Sequence, residues 1–382
     1  MLNEVFPEIT VGFVGNVSNH YCDEATGVPF YRTGNVRDGT FSQNDIRFVT
    51  KDFHRKNRKS SISNGDILIA RVGANLGMVC RVDGISGDAN AANVIIIRRN
   101  EQADSDYFAE FLGSPMGQSQ IHARSVGGAQ GVFNTRLAEQ IEVLVPPLEE
   151  QRIISELLLD WNVAIQKAEQ LISAKEKCLR HYRDALLRQP DHAVLTRLRD
   201  VTQELAMRNG STLGRDAIMA VTKQVGMRPM REETIAADIG RYKLVPPGAF
   251  AYNPMRLNIG SITMSPFDRN VLVSPDYVVF ACDQSRLLPA YLHHVRHTQN
   301  WKGHFELAGN GSVRVRIYYD DLGTFAFRLP PINIQKRIVA FLDAIAREIA
   351  LLYLQVEALR KQKRGLMQKL LTGQWRLKME EA

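Results

Sequence analysis

One short phrase is written twice in this chain, and it constrains the fold more than any other feature. Residues 146–154 read PPLEEQRII, and residues 330–338, 184 positions later, read PPINIQKRI. Sliding 146–189 onto 330–373 needs no gap. Identical pairs include Pro146/Pro330, Pro147/Pro331, Gln151/Gln335, Ile154/Ile338, Leu158/Leu342 and Ile165/Ile349. Each proline pair opens a run whose apolar positions step alternately by four and three. The first run is Ile154, Leu158, Trp161, Ile165, Ala168, Ile172, Lys175, Leu179, Tyr182, Leu186. The second is Ile338, Leu342, Ile345, Ile349, Leu352, Val356, Leu359, Lys363, Leu366, Leu370. Such a repeat is the a/d seam of a coiled coil, broken once in each copy by a lysine that helps to fix register. Proline readily precedes a helix but not its interior, so each pair marks a helix start. The runs stop before Pro190 and Gly373. Helices of roughly 40 residues are about 60 Å long and overhang a small domain, so the two are expected to pair with each other. The seam alone leaves parallel and antiparallel pairing open.

The remaining chain falls into two pieces of similar size that also echo each other. GDILIARVGANLG (65–77) and GAFAYNPMRLNIG (248–260) match at Gly65/Gly248, Asn75/Asn258 and Gly77/Gly260, each a strand-like run followed by a polar tip. Further strand signals stand at 93–98 (NVIIIR), 270–273 (NVLV) and 276–280 (DYVVF). Short helical pieces stand at 106–113 and 288–297, followed by glycine-rich loops at 125–131 and 308–316. The organisation expected is a first domain over 1–145, a long helix over 146–189, a second domain over 190–329, a second long helix over 330–375 and a tail over 376–382. The fold class is α/β (α+β), two similar globular domains joined by two long helices as a tandem internal repeat.

Composition narrows the function. Net charge is +7 and the pI about 9.2, which favours polyanionic partners, nucleic acid first. Cys22, Cys80, Cys178 and Cys282 are scattered with no C-x-x-C pair, which speaks against a zinc site and suits a reducing cytosol. The N-terminal MLNEVFPEIT shows no basic stretch leading into an apolar run, so a cytoplasmic protein is expected. Catalytic signatures fail in turn. There is no phosphate-cradling P-loop, no dinucleotide fingerprint, no H-E-x-x-H and no G-x-S-x-G. The tract 252–255, YNPM, approaches the Asn-Pro-Pro-aromatic motif of amino-methyltransferases but lacks its second proline and its aromatic. His293, His294 and His297 lie at helical spacing; without a Cys or acidic partner a solvated helix face is the better reading than a metal site.

Several residues suit nucleic-acid contacts. Lys51, Arg55, Lys56, Arg58 and Lys59 crowd the stretch KDFHRKNRKS, which otherwise reads as a solvated loop. Arg71, Asn75, Asn253, Arg256 and Asn258 sit on tips after strands. Arginine matches guanine O6/N7 and asparagine matches adenine N6/N7, although Asn and Gly also simply build turns. Arg124, Arg136, Arg314 and Arg316 flank the glycine-rich loops and suit phosphates.

With these residues in view, the whole chain resembles the specificity subunit of type I restriction-modification systems. PPLEEQRII and PPINIQKRI, each leading into a long helix, carry the resemblance, together with the ending LMQKLLTGQWRLK. GVPFYRTGNVRDG (27–39) and NGDILIARVGANLG (64–77) look like the opening of a target recognition domain, and YNPMRLNIGSI (252–262) like its counterpart. The second signature departs in carrying Asn333 and Ile334 where the first has Glu149 and Glu150. The resemblance implies two target recognition domains, each reading half of a split, asymmetric site on double-stranded DNA. It implies an antiparallel coiled coil as ruler between the half-sites, and docking of two methyltransferase (modification) subunits and of restriction subunits. It implies no catalysis and no cofactor in this chain; S-adenosylmethionine, ATP and Mg would be bound by the partner subunits. The alternative is a two-headed coiled-coil scaffold that joins protein partners and has no DNA role. An anti-restriction DNA mimic should be acidic, and this chain is basic.

Overall fold

The structure is a computed structural model and describes residues 1–37, 39–125, 132–223, 226–307 and 316–377. The chain divides into two compact units, Met1–Ala168 with Gln355–Ala382, and Glu169–Leu354. Each unit holds a four-stranded antiparallel sheet, short helices packed on it, and one half of each long helix.

In the first unit the strand order is Ile9–Val11, Val94–Ile97, Ile67–Ala70, Val79–Arg81. In the second it is Thr202–Glu204, Val278–Cys282, Phe250–Tyr252, Ile262–Met264. The central pairs keep the same register, Ile67 opposite Ile97 and Phe250 opposite Phe280. Both faces of each sheet are covered, so the strands ILIA and VIII read as unbroken apolar runs. Alternate side chains still part to opposite faces. Ile67, Ile69, Ile95 and Ile97 join the core shared with the long helices, while Leu68, Ala70, Val94 and Ile96 join a core on the other face. In the second unit Phe250, Tyr252, Val278 and Phe280 face the helices, and Ala251 and Val279 face away.

The glycine matches follow from backbone geometry. Gly65 and Gly248 precede equivalent strands with φ of +91° and +72°, and Gly77 and Gly260 end the following tips with φ of +85° and +89°. A side chain is strained in that region, so glycine recurs at both places in both units.

The long helices run Leu148–Arg188 and Ile332–Leu371. Their direction is read inside each unit. In the second unit Lys175 Nζ pairs with Glu348 at 2.8 Å, Glu176 accepts from the Tyr353 hydroxyl at 2.8 Å, and the Tyr182 and Phe341 rings meet at 5.2 Å. From Lys175 and Glu176 to Tyr182 the first helix advances while its partners step back from Glu348 and Tyr353 to Phe341, so the pairing is antiparallel. In the first unit Lys363 Nζ donates to Asn162 Oδ1 at 2.7 Å and to Glu110 Oε2 at 2.9 Å, and Asn162 Nδ2 donates to Glu110 Oε1 at 2.7 Å. Both seam lysines are therefore ion-paired.

The other seam positions are inside or half-inside. Ile154, Leu158, Ile172, Ile338, Leu342, Ile349, Val356 and Leu370 are buried. Trp161, Ile165, Leu179, Leu186, Ile345, Leu359 and Leu366 are half-buried. Tyr182, with its ring against Phe341, is the exposed exception among the seam positions.

The duplicated Pro-Pro-x-x-x-Gln has a mechanical role. Gln151 and Gln335 are fully buried. Gln151 Nε2 donates to Pro146 O at 2.7 Å, and its Oε1 accepts from Asp104 N at 2.9 Å. Gln335 Nε2 donates to Pro330 O at 2.8 Å, and its Oε1 accepts from Leu288 N at 2.9 Å. Asp104 and Leu288 are the caps of the short helices Ser105–Gly113 and Pro289–Val295. Each glutamine thus clamps the start of a long helix to the start of the short helix packed on its sheet. The same correspondence extends further. Tyr107 and Tyr291 donate to Leu144 O and Arg328 O at 3.2 and 3.3 Å. Ser114 and Thr298 close the ends of the two short helices onto Phe111 O and Val295 O.

The departure at the second signature has a structural reason. Glu150 is buried and accepts from Arg376 Nη2 at 2.7 Å and from Leu377 N at 3.2 Å, holding the residues that follow the second long helix. Its counterpart Ile334 instead packs on the apolar core of the second unit.

Candidate nucleic-acid interface

The basic stretch 51–60 forms one turn of helix, Lys51–Lys56, followed by a 3-10 turn, Arg58–Ser60. Thr50 caps the helix by accepting from Phe53 N. Phe53 and His54 point inward, Phe53 against the rings of Phe13 and Phe30. His54 Nδ1 lies 2.6 Å from Asn90 Oδ1, and its Nε2 3.3 Å from Asp88. Asn90 in turn donates to Asn57 O and Ser60 Oγ. Buried polar bonds therefore fix the backbone beneath the basic side chains. Lys51, Arg55, Lys56, Arg58 and Lys59 are all exposed. Asp52 pairs with Lys56 and Arg55 at 2.8 Å each, and their hydrogen bonds hold its carboxyl down at about 2. Lys51, Arg58 and Lys59 have no such carboxylate among the described residues and are the free cations of the platform.

The two strand tips take the same place in their units. In the first, Arg71 O accepts from Phe133 N at 3.1 Å; in the second, Pro254 O accepts from Ile317 N at 3.1 Å. Each tip is thereby tied to the residue just beyond a glycine-rich segment. In the second unit this gathers Arg256, Asn258 and Arg316, all exposed. Asn253 is their base: its Oδ1 accepts from Met255 N and caps the turn Pro254–Arg256. Sequence reasoning missed Lys223, whose methylenes flank Gly260 beside this tip. It also missed Tyr318, half exposed, whose hydroxyl accepts from Arg316. A lone lysine in a hairpin and a lone tyrosine carry no pattern.

In the first unit the tip is more enclosed. Asn75 Nδ2 donates to Thr33 O at 2.8 Å, which fixes the tip against the turn Thr33–Asn35. Arg71 is half-buried, with its Nε lacking a partner. Arg136 is exposed on the helix Thr135–Glu139. Arg124 turns inward, donating to Gln120 O and to Gln140 O. Arg314 and nearly all of the two glycine-rich loops lie outside the described residues.

The histidine face departs from expectation. His294 is buried and bonded to Asp343 at 2.8 Å. His293 and His297 are half-buried with rings 5.4 Å apart, and Arg296 Nη2 donates to His293 Nδ1 at 3.3 Å. Burial, aided by Arg296 and Arg183, pushes His293 down to about 3 and His297 to about 2. The histidines are thus packed and neutral rather than a solvated face. No cluster of side chains suited to a metal ion occurs among the described residues, and none of their helices is long and apolar enough to cross a membrane.

No protein-family model matches the chain. Curated relatives do. The EcoKI specificity subunit of a type I restriction enzyme from Escherichia coli K12 is 26% identical over 208 residues, 52% of this chain and 40% of that protein. The StySPI specificity subunit from Salmonella potsdam is 23% identical over 171 residues, 42% of this chain and 35% of that protein. The matches thus span less than half the length of these relatives. Solved structures share the fold over almost the whole chain. A type I restriction-modification S subunit from M. genitalium aligns over 98% of this chain and 94% of its own at TM-score 0.59 and 9% identity. A chain from a structure of complex assembly and conformational transition of the type I system aligns over 97% and 96% at TM-score 0.55 and 16% identity. In sequence over part of its length, and in fold over nearly all of it, the chain is similar to specificity subunits of type I restriction-modification systems.

Proposed function

We propose that this chain is the DNA-recognition subunit of a type I restriction-modification complex. Each unit reads one half of a bipartite, asymmetric site on double-stranded DNA. One observation carries the reading: two units built on one scaffold, with the same sheet order, glycine turns and glutamine clamps, present different side chains at the equivalent tips. A conserved frame with divergent tips suits two recognition surfaces for two different half-sites. The exposed cations supply affinity through phosphates, and the tips supply discrimination through base edges. Candidate contacts are Lys51, Arg58, Lys59, Arg71 and Arg136 in the first unit, and Lys223, Arg256, Asn258 and Arg316 in the second. Asn75 and Asn253 shape the tips. The paired helices set the half-site spacing and dock methyltransferase subunits. S-adenosylmethionine, ATP and Mg are assigned to partner subunits, and this chain catalyses nothing.

The test is co-expression with the partner methyltransferase, followed by single-molecule sequencing for methyladenine. The proposal expects a motif of two short specified blocks around an unspecified gap. A stable complex that leaves DNA methylation unchanged supports instead a protein scaffold.

A further inference from the structure

The strand tip of the second unit carries two aliphatic side chains into solvent. Met255 and Ile259 are 40% and 51% exposed. A lone exposed aliphatic is ordinary on a protein surface, so the company these two keep decides their meaning. The tip beneath them is tightly bonded. Asn253 O accepts from Arg256 N at 2.9 Å, Leu257 O from Gly260 N at 2.8 Å, and Arg256 O from Ser261 N at 3.0 Å. Pro254 is buried, and Leu257 is buried in the core on the helix side of the sheet. With Leu257 turned in, Met255, Arg256, Asn258 and Ile259 turn out together. Arg316 and Tyr318, both exposed, flank Ile317, whose N–H bonds Pro254 O. Lys223 lies along Gly260. Lys223, Arg256 and Arg316 outnumber Asp276, the carboxylate that acts on Arg316.

The internal repeat shows that the frame does not force this exposure. With Gly65/Gly248 and Gly77/Gly260 aligned, Met255 and Ile259 fall on Val72 and Leu76. Both are half-buried, and Leu76 packs on the apolar core of the first unit. The helix Pro115–Ser125 holds that tip, Gln118 Nε2 donating to Gly77 O at 2.7 Å. The second unit leaves its aliphatics bare beside a guanidinium and a carboxamide. A surface that mixes apolar and hydrogen-bonding groups fits a ligand face that mixes them too. The major-groove edge of an A·T pair is such a face, with adenine N6/N7 beside the thymine C5-methyl. The surrounding cations favour a polyanion over a protein partner.

We propose that Met255 and Ile259 are specificity-determining residues that read thymine by packing on its C5-methyl in the major groove, while Arg256 and Asn258 take the hydrogen-bonding edges beside it. The inference rests on the DNA-recognition function proposed above and adds the chemical feature that the second half-site offers.

The experiment uses the complex of the full chain with its methyltransferase and a duplex carrying the mapped motif. The block read by the second unit is the one that Arg256→Ala with Asn258→Ala relaxes. Thymines of one block at a time are replaced by deoxyuridine, which removes only the methyl, and binding is read by fluorescence anisotropy. In the second unit's block the replacement should weaken wild-type binding about fourfold per contacted methyl, since burying one is worth ~0.8 kcal/mol and every ~1.4 kcal/mol is a factor of ten. Met255→Ala with Ile259→Ala should bind the thymine duplex as weakly as the wild type binds the deoxyuridine one, and should not distinguish the two. Met255→Leu with Ile259→Val should keep the distinction. In the other block wild type and alanine variant should respond alike. Equal binding of both duplexes by the wild type, or undiminished discrimination in the alanine variant, would overturn the inference while leaving DNA recognition standing. A wild-type complex with no preference for its motif over random duplex would overturn the underlying function as well.

Discussion

At the scale of single residues, the buried glutamines show how a sequence repeat becomes a mechanical part. Replacing Gln151 with leucine leaves the Asp104 N–H and the Pro146 carbonyl buried without partners. Each such orphan costs about 1–3 kcal/mol, so Gln151→Leu should destabilise the chain by roughly 2–5 kcal/mol in denaturant unfolding. The basic platform gives a second prediction at this scale. Lys51, Arg58 and Lys59 lack carboxylate partners among the described residues, whereas Arg55 and Lys56 share Asp52. Changing all three free cations to alanine should lower the slope of log affinity against log salt by up to about 2.7, near 0.9 per lost phosphate contact. An unchanged slope in a fluorescence titration would remove the platform from the interface. Much at this scale was readable and some was not. The glycine pairs stood out because a positive φ admits few alternatives. The glutamine match was visible, but its partners Asp104 and Leu288 lie 47 residues upstream, where no local pattern points. Glu150 and Arg376, 226 residues apart, were beyond any reading by spacing.

At the scale of elements, the heptad pattern was legible because a seam repeats its own evidence of period at every turn. Direction was not, since a/d spacing is the same both ways; the pairs Lys175–Glu348 and Lys363–Asn162 decide it. The two lysines should not be equivalent. Lys363 and Glu110 have side chains each only 16% exposed, so Lys363→Leu strands a carboxylate and should cost about 3 kcal/mol. Lys175 pairs with the half-exposed Glu348, and Lys175→Leu should change stability by less than about 1 kcal/mol. Paired unfolding curves check both. The helix Pro289–Val295 lies within the span the sequence marks as helical, but its histidines are buried or half-buried rather than a solvated face. Nothing in its own sequence shows that Asp343 of a distant helix bonds His294. Because His293 and His297 are held far below the usual histidine value, the unfolded chain takes up their protons first as pH falls. Their contribution is present above about pH 6.5 and is lost progressively below it, at up to about 1.4 kcal/mol per pH unit for each histidine. Unfolding in chloride buffers from pH 8 to 5 should show the fall, and His293→Ala with His297→Gly should flatten it.

At the scale of the whole molecule, the chain is one scaffold used twice. Strand order, register and clamps are kept, while tips, hairpins and the face at His293 and His297 differ. The first unit adds the sheet of Arg47–Val49, Val28–Tyr31 and Asn90–Ala91, and the hairpin of Met219–Thr222 with Gly226–Pro229 in the second is longer than its counterpart of Val36–Arg37 with Thr40–Phe41 in the first. These differences escaped the sequence reading because they fall where the repeat breaks down. They are also where recognition is proposed to differ between the halves. The most direct measurement is a methylation map made with the partner methyltransferase and a variant altered at the second tip alone, Arg256→Ala with Asn258→Ala. If each unit reads one half-site, one block of the split motif should relax while the other block and the gap stay unchanged. Relaxation of both blocks, or a contiguous motif in the wild type, would contradict the division of recognition between the two units.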